Sequence, residues 1–264
     1  DVKTYYVNYL TPKAASFRIV GAVSETDAKA ALEKIDAAWQ GGEIAYPDAA
    51  APAAPEKSTV YFVDVPGAKQ SVFRFGYPAL TVTDPDYYPA AVMNYRLGGG
   101  GFASRLTQEL REGKGYTYGI GSGFSGSARY GGFNISSGVR SNVTYEAAAL
   151  VKDILENYSA TFTEEDLDVT KSFMLKSKAR AFETLGAKLG MLQNIADYDL
   201  PYDYVKEQNE IVEAMTVERI QELADDYIRP GAMNWVIAGD AETQAPRLEA
   251  LGYGAPVMLG APQE

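Results

Sequence analysis

The stretch Leu97–Tyr118, LGGGGFASRLTQELREGKGYTY, sets four consecutive glycines before a short amphipathic segment, with an arginine and two tyrosines close behind. Such a run can cradle phosphate, turn a tight corner, or present side chains to a ligand. A phosphate loop needs G-x-x-x-x-G-K-[S/T] after a buried strand, so that backbone N–H groups and a lysine surround the anion. Around Gly113-Lys114, Gln108 stands where the first glycine belongs and Gly115 where Ser or Thr belongs. Gly121-Ser-Gly-Phe-Ser-Gly126 matches G-x-G-x-x-G, but it lies inside a predicted strand and no helix opens there. A dinucleotide site requires that helix N-terminus, so nucleotide binding is set aside. A corner in which Cβ atoms would clash explains the glycines. It does not explain Arg111 or the tyrosines.

With 264 residues, 46% hydrophobic and 22% charged, the chain has room for one large domain or two modest ones. Its formal net charge of −11 argues against a nucleic-acid partner, because phosphate contacts need clustered Lys and Arg. It contains neither histidine nor cysteine. That removes disulfides, thiolate metal sites, cysteine nucleophiles and Ser-His-Asp triads together. Zinc held by carboxylates alone is rare, so no metal ligand is expected in this chain. No apolar run approaches the roughly 18–20 residues of a membrane span. The opening DVKTYYVNYL lacks a basic n-region and an apolar h-region, so no signal peptide is expected there and a removed one is left open. Localisation stays open too, the absence of cysteine leaning towards the periplasm or another extracytoplasmic space.

Residues 16–23 are expected to form a strand, and Ser24-Glu-Thr-Asp27 a capping box that opens a helix through about Trp39. Residues 41–58 are rich in Ala, Pro and Gly without periodicity, which suits a linker. Strands are predicted at 59–65 and 70–77 around Pro66-Gly67, and an antiparallel pair at 116–124 and 131–138. Helices are predicted at 85–97 and 102–113 on either side of the glycines, then at 143–159, 163–182, 184–198, 203–214 and 217–228, with caps at Thr163 and Thr216. The pattern strand, glycine, acidic turn, helix at 16–35 is echoed from Asn234 onward. The echo suggests that residues 1–40 close a preceding domain, 41–58 link, and 59–264 form the following domain. Asp84, Asp86 and Tyr87 read as a helix cap, and Glu164, Glu165 and Asp166 as acids at a helix dipole. Three sequons, at Asn134, Asn142 and Asn157, are short enough to occur by chance.

The segment LGGGGFASRLTQELREGKGYTYGIGSGF resembles the second-half signature of the pitrilysin/insulinase-type zinc metallopeptidases, the inverzincins, whose relatives include the mitochondrial processing peptidase. That signature runs Leu-Gly-Gly-Gly, small residues with Arg and Leu, Leu-Arg-Glu, a Gly, and a Tyr seven residues after the Arg. Arg111 and Tyr118 stand at that spacing. YYVNYLTPKAASFRIVGAVSETDAKAALEKIDAAW is similar to the segment closing the family's first domain, and 59–240 to a complete following domain. The resemblance implies an α+β metallopeptidase-type roll, a mainly antiparallel sheet with helices packed on one face, and the helix cluster at 143–228 agrees independently.

Family catalysis uses His-x-x-Glu-His and a distal Glu to hold zinc, and this chain has no histidine. The resemblance therefore implies the non-zinc C-terminal half or an inactive subunit, with zinc in a partner half of the same family and no catalysis from this chain alone. Arg111 and Tyr118 would be its auxiliary catalytic and substrate-binding residues. A guanidinium and a hydroxyl aimed at a peptide carbonyl stabilise negative charge on its oxygen without a covalent bond. The alternatives are a non-catalytic structural protein retaining the fold, or a peptide-binding module using an exposed sheet edge.

Overall fold

The computed structural model describes residues 1–44, 50–178 and 182–260. They group into two compact units, Asp1–Ala50 with Lys176–Tyr204, and Ala51–Leu175 with Val205–Glu264. Among the described residues no helix is long and apolar enough to cross a membrane.

The larger unit is built on six strands: β1 (Thr59–Asp64), β2 (Gln70–Ala79), β3 (Thr117–Gly126), β4 (Gly131–Arg140), β5 (Asn234–Gly239) and β6 (Val257–Leu259). Their spatial order is β3-β4-β2-β5-β1-β6. The pairs β3/β4, β4/β2 and β2/β5 are antiparallel, whereas β1 runs parallel to both β5 and β6. Side chains alternate as a one-sided sheet demands. Phe73 and Phe75, Phe133 and Ile135, Trp235 and Ile237, and Val60 and Phe62 are buried, while Arg74, Asn134 and Ser136 face solvent. Helices α3 (Tyr87–Asn94), α5 (Thr144–Thr161) and α9 (Val217–Tyr227) contribute Val92, Met93, Val151, Leu155, Ile220 and Leu223 to the same core. The result is an α+β sheet with helices covering one face. Thr216 caps α9 by accepting from the Arg219 N–H at 3.2 Å.

The smaller unit contains α1 (Val2–Tyr9), α2 (Glu25–Ala38) and α7 (Leu185–Tyr198). Ser24 caps α2 as its sequence predicts, accepting from the Asp27 N–H at 3.1 Å. The strand expected at 16–23 is not formed. A ladder needs a neighbouring strand, and no described residue of this unit is in one. Arg18 instead pairs with Asp197 at 2.6 Å. The helix expected over 163–182 is α6 (Glu164–Lys178) and that expected over 203–214 is α8 (Tyr204–Ala214), while residues 179–181 lie outside the described residues. So do 45–49 of the expected linker and 261–264 of the expected second domain.

The helices expected at 85–97 and 102–113 are real but interrupted. Beyond α3 the backbone widens into a π-helical turn at Tyr95–Gly99, then tightens to a 3₁₀ turn at Gly101–Ala103. A single α-turn, α4 (Arg105–Thr107), leads to a second π-helical segment at Gln108–Gly113. The glycines explain the break. A Cβ on Gly98 would lie 2.5 Å from the Ser122 backbone nitrogen and 2.8 Å from its Cβ, and one on Gly100 2.7 Å from the Tyr95 carbonyl oxygen. The corner is pressed directly onto β3, and only glycine fits there. Gly98→Ala should therefore lower stability by about 1–3 kcal/mol, the usual cost of overpacking, read as a fall in the urea midpoint. An unchanged midpoint would show that the contact is not tight.

Candidate functional site

The corner is fixed on both sides by polar contacts. Towards β3, the Asn94 amide donates to the Ser122 carbonyl at 2.8 Å, and the Ser122 hydroxyl donates back to Asn94 Oδ1 at 2.5 Å. Thr107 adds a hydroxyl bond to the Ile120 carbonyl at 3.1 Å. Ser104 caps α4 and donates to the Gly101 carbonyl at 2.7 Å.

On the other side, Arg96 and Arg105 converge on Asp166, with Nη2 atoms 2.7 and 2.6 Å from its two oxygens. The Asp166 side chain is only 8% exposed. Arg96 also donates to the Ala103 carbonyl, and Arg105 lies 5.0 Å from the centroid of the Tyr158 ring. Asp166 does cap α6, accepting from the Thr163 N–H at 3.1 Å. Its larger work is the clamp, which a reading as a helix-dipole acid misses. Burial pushes its carboxyl up, but hydrogen bonds from Arg105 and Arg96 outweigh that and hold it below the usual carboxylate range.

Asp86 departs from its expected role in the same way. It stands at the N-cap position of α3 without a side-chain cap bond, and instead accepts from Arg219 at 2.5 Å and from the Tyr227 hydroxyl at 3.0 Å. Burial, helped by Asp86, pushes that hydroxyl up to about 12.

Between these anchors the chain presents Arg111 and Tyr118 together. Arg111 sits on the second π-helical segment, a rare geometry in which single turns recur at functional sites. Gly115, at φ 61°, makes the turn into β3. A bulge between Thr117 and Ile120 then throws Tyr118 out of the ladder. Tyr118 is 89% exposed, with its ring centroid 4.9 Å from Arg111 Cζ. Phe102, which the sequence does not single out, lies on the other flank of the corner with its centroid 4.5 Å from the same carbon. Tyr116 differs from Tyr118, for its ring packs against the core.

Beside Tyr118 a shallow groove of about 590 Å³ is lined by Gln70, Thr117, Gly119 and Arg140. Its lining comes from β2, β3 and β4, and β3 is the terminal strand of the sheet, the position at which an extended chain adds to a sheet. The arrangement offers hydrogen-bond donors and a sheet edge to a peptide. Among the described residues no group of three or more His, Cys, Asp or Glu side chains is placed to hold a metal ion, and the donor chemistry of a histidine-free chain does not suit zinc.

Residues 1–174 match the family model described as the peptidase M16 inactive domain. The chain belongs to that family. An uncharacterised zinc protease of Streptomyces coelicolor is 26% identical over 259 residues, 95% of this chain and 52% of the relative. A non-peptidase homolog of Helicobacter pylori is 28% identical over 165 residues, 61% of this chain and 37% of the relative. The crystal structure of a peptidase M16 inactive domain from Pseudomonas fluorescens superposes with a TM-score of 0.74 at 29% identity, covering 85% of this chain and 53% of that one. A protease from Helicobacter pylori shares the fold, with a TM-score of 0.76 at 18% identity over 90% of this chain and 58% of that one. The chain thus spans about half the length of the curated relatives it matches, or less.

The Asp166 clamp makes stability depend on pH with a definite sign. Its folded carboxyl titrates below the unfolded value of about 3.9, so its contribution is complete above about pH 4 and is lost as pH falls through the folded value. Asp166→Asn should cost about 3 kcal/mol at pH 7, since it leaves two arginines without their charge partner. In urea unfolding the gap between wild type and variant should shrink at pH 3. A gap independent of pH would contradict the clamp.

Proposed function

We propose that this chain is the non-zinc half or subunit of a zinc metalloendopeptidase, supplying Arg111 and Tyr118 to a composite active site for peptide-bond hydrolysis. The observation that carries the reading is the meeting of these two side chains at 4.9 Å on an exposed bulge of an edge strand. The guanidinium and the hydroxyl are both donors, and aimed at one peptide carbonyl they favour the negative charge that hydrolysis builds there. Zinc belongs to a histidine-bearing partner half, because the donors of this chain do not fit it. Its own residues bind and orient an extended peptide.

The non-peptidase homolog from Helicobacter pylori favours a second reading, in which the fold is kept as a non-catalytic, peptide-binding or structural module. Kinetics separate the two. In an assembly with a zinc-bearing half, Tyr118→Phe should lower kcat more than it changes KM, since the hydroxyl meets charge that appears only in the transition state. Loss of one such donor costs roughly 10²–10³ in rate. Arg111→Ala should raise KM as well. Tyr116→Phe is the control, its ring being packed on the core. Equal activity of Tyr118→Phe and Tyr116→Phe would sink the catalytic reading.

A further inference from the structure

We propose that Phe102 is the positioning residue of Arg111, an inference that rests on Arg111 acting as a ligand for peptide carbonyls. The backbone around Phe102 is held on both sides while its ring stands 64% exposed. Gly101 takes φ 56°, in the left-handed region, and its carbonyl accepts from Ser104 at 2.7 Å. On the other side of Phe102 the Ala103 carbonyl accepts from Arg96. An apolar side chain is thus carried outward on an ordered turn rather than tucked into the core. The feature it meets there is the guanidinium of Arg111, at 4.5 Å from the ring centroid, nearer than the ring of Tyr118.

The way Arg111 is held decides what it can still do. A carboxylate orients an arginine by consuming its N–H groups, as Asp166 does with Arg96 and Arg105. Among the described residues Arg111 has one carboxylate neighbour, Glu112, at 3.3 Å from Nε, and that side chain is itself exposed. Aromatic faces attract the cation through the ring quadrupole instead, which leaves the donors at the guanidinium edge free for peptide carbonyls. Phe102 therefore orients the charge without using up its hydrogen bonds. This also gives the fourth glycine a purpose beyond the corner, since the backbone of Gly101 is what turns the ring outward.

The test uses the whole chain labelled with ¹⁵N-arginine. Its readout is the order parameter of the Arg111 Nε–Hε bond in wild type, Phe102→Leu and Phe102→Tyr, with the clamped Arg105 as internal reference. Phe102→Leu should drop the Arg111 value below roughly 0.6, the flexible range, while Phe102→Tyr and Arg105 stay ordered. An Arg111 that remains as ordered in Phe102→Leu as in wild type overturns the proposal. So does a joint loosening of Arg105, which would mean that the corner as a whole had softened. With fluorescein-labelled β-casein as an unfolded-chain probe, Phe102→Leu should weaken binding about two- to fivefold, as expected for an exposed cation–π contact, and Phe102→Tyr should restore it. If Arg111→Ala weakens binding but Phe102→Leu does not, positioning by Phe102 is refuted. If Arg111 loosens in Phe102→Leu while Arg111→Ala binds the probe normally, the positioning holds and the peptide-carbonyl reading of Arg111 falls.

Discussion

The approach of Gly98 to Ser122 sets the geometry of everything around it. At that distance no side chain fits between the corner and β3, so the backbone of one rests on the backbone of the other. The reciprocal bonds between Asn94 and Ser122 lock the register of the contact. Once the register is set, the π-helical segment that follows must descend beside the first residues of β3. Arg111 and Tyr118, seven residues apart in the chain, then share one patch of surface. A loose corner would leave both side chains on independently moving segments.

The two-arginine clamp on Asp166 completes the frame from the opposite side. A buried carboxylate with both oxygens engaged is weak evidence for stability, because desolvation offsets much of the attraction. Its value lies in direction. Arg96 precedes the glycines and Arg105 follows them, so one carboxylate on α6 fixes both ends of a segment that has little conformational preference of its own. The rigid part of the site is therefore buried and charged, and the part offered to a ligand is exposed and aromatic.

Much of the sheet was legible because its signal is local. Period-2 burial in β2 and β4, the Pro66-Gly67 turn and the caps at Ser24, Thr163 and Thr216 depend on neighbours within a few residues. The pairing of Arg111 with Tyr118 is implied by the family resemblance alone, since spacing across a turn does not by itself put two side chains together. What stayed illegible depends on distance along the chain. Asp166 meets Arg96 across 70 residues and Arg105 across 61, and the one hint was a pair of arginines flanking the glycines. Phe102 is not singled out by the sequence, because one aromatic beside a glycine run carries no signal of its own. The strand expected at 16–23 had the composition but lacked a partner, whereas the short β6 has β1 beside it and little composition to announce it.

On the proposed function Arg111 and Tyr118 act as one unit on one carbonyl, and a double-mutant cycle in an assembly with a zinc-bearing half measures this directly. Residues that share a ligand atom do not contribute additively. The account predicts that Arg111→Lys and Tyr118→Phe together reduce kcat/KM by less than the sum of their separate losses, with a coupling of about 1 kcal/mol or more. Losses that add to within about 0.5 kcal/mol would contradict it, for the two side chains would then be neighbours on a surface and not partners in a site.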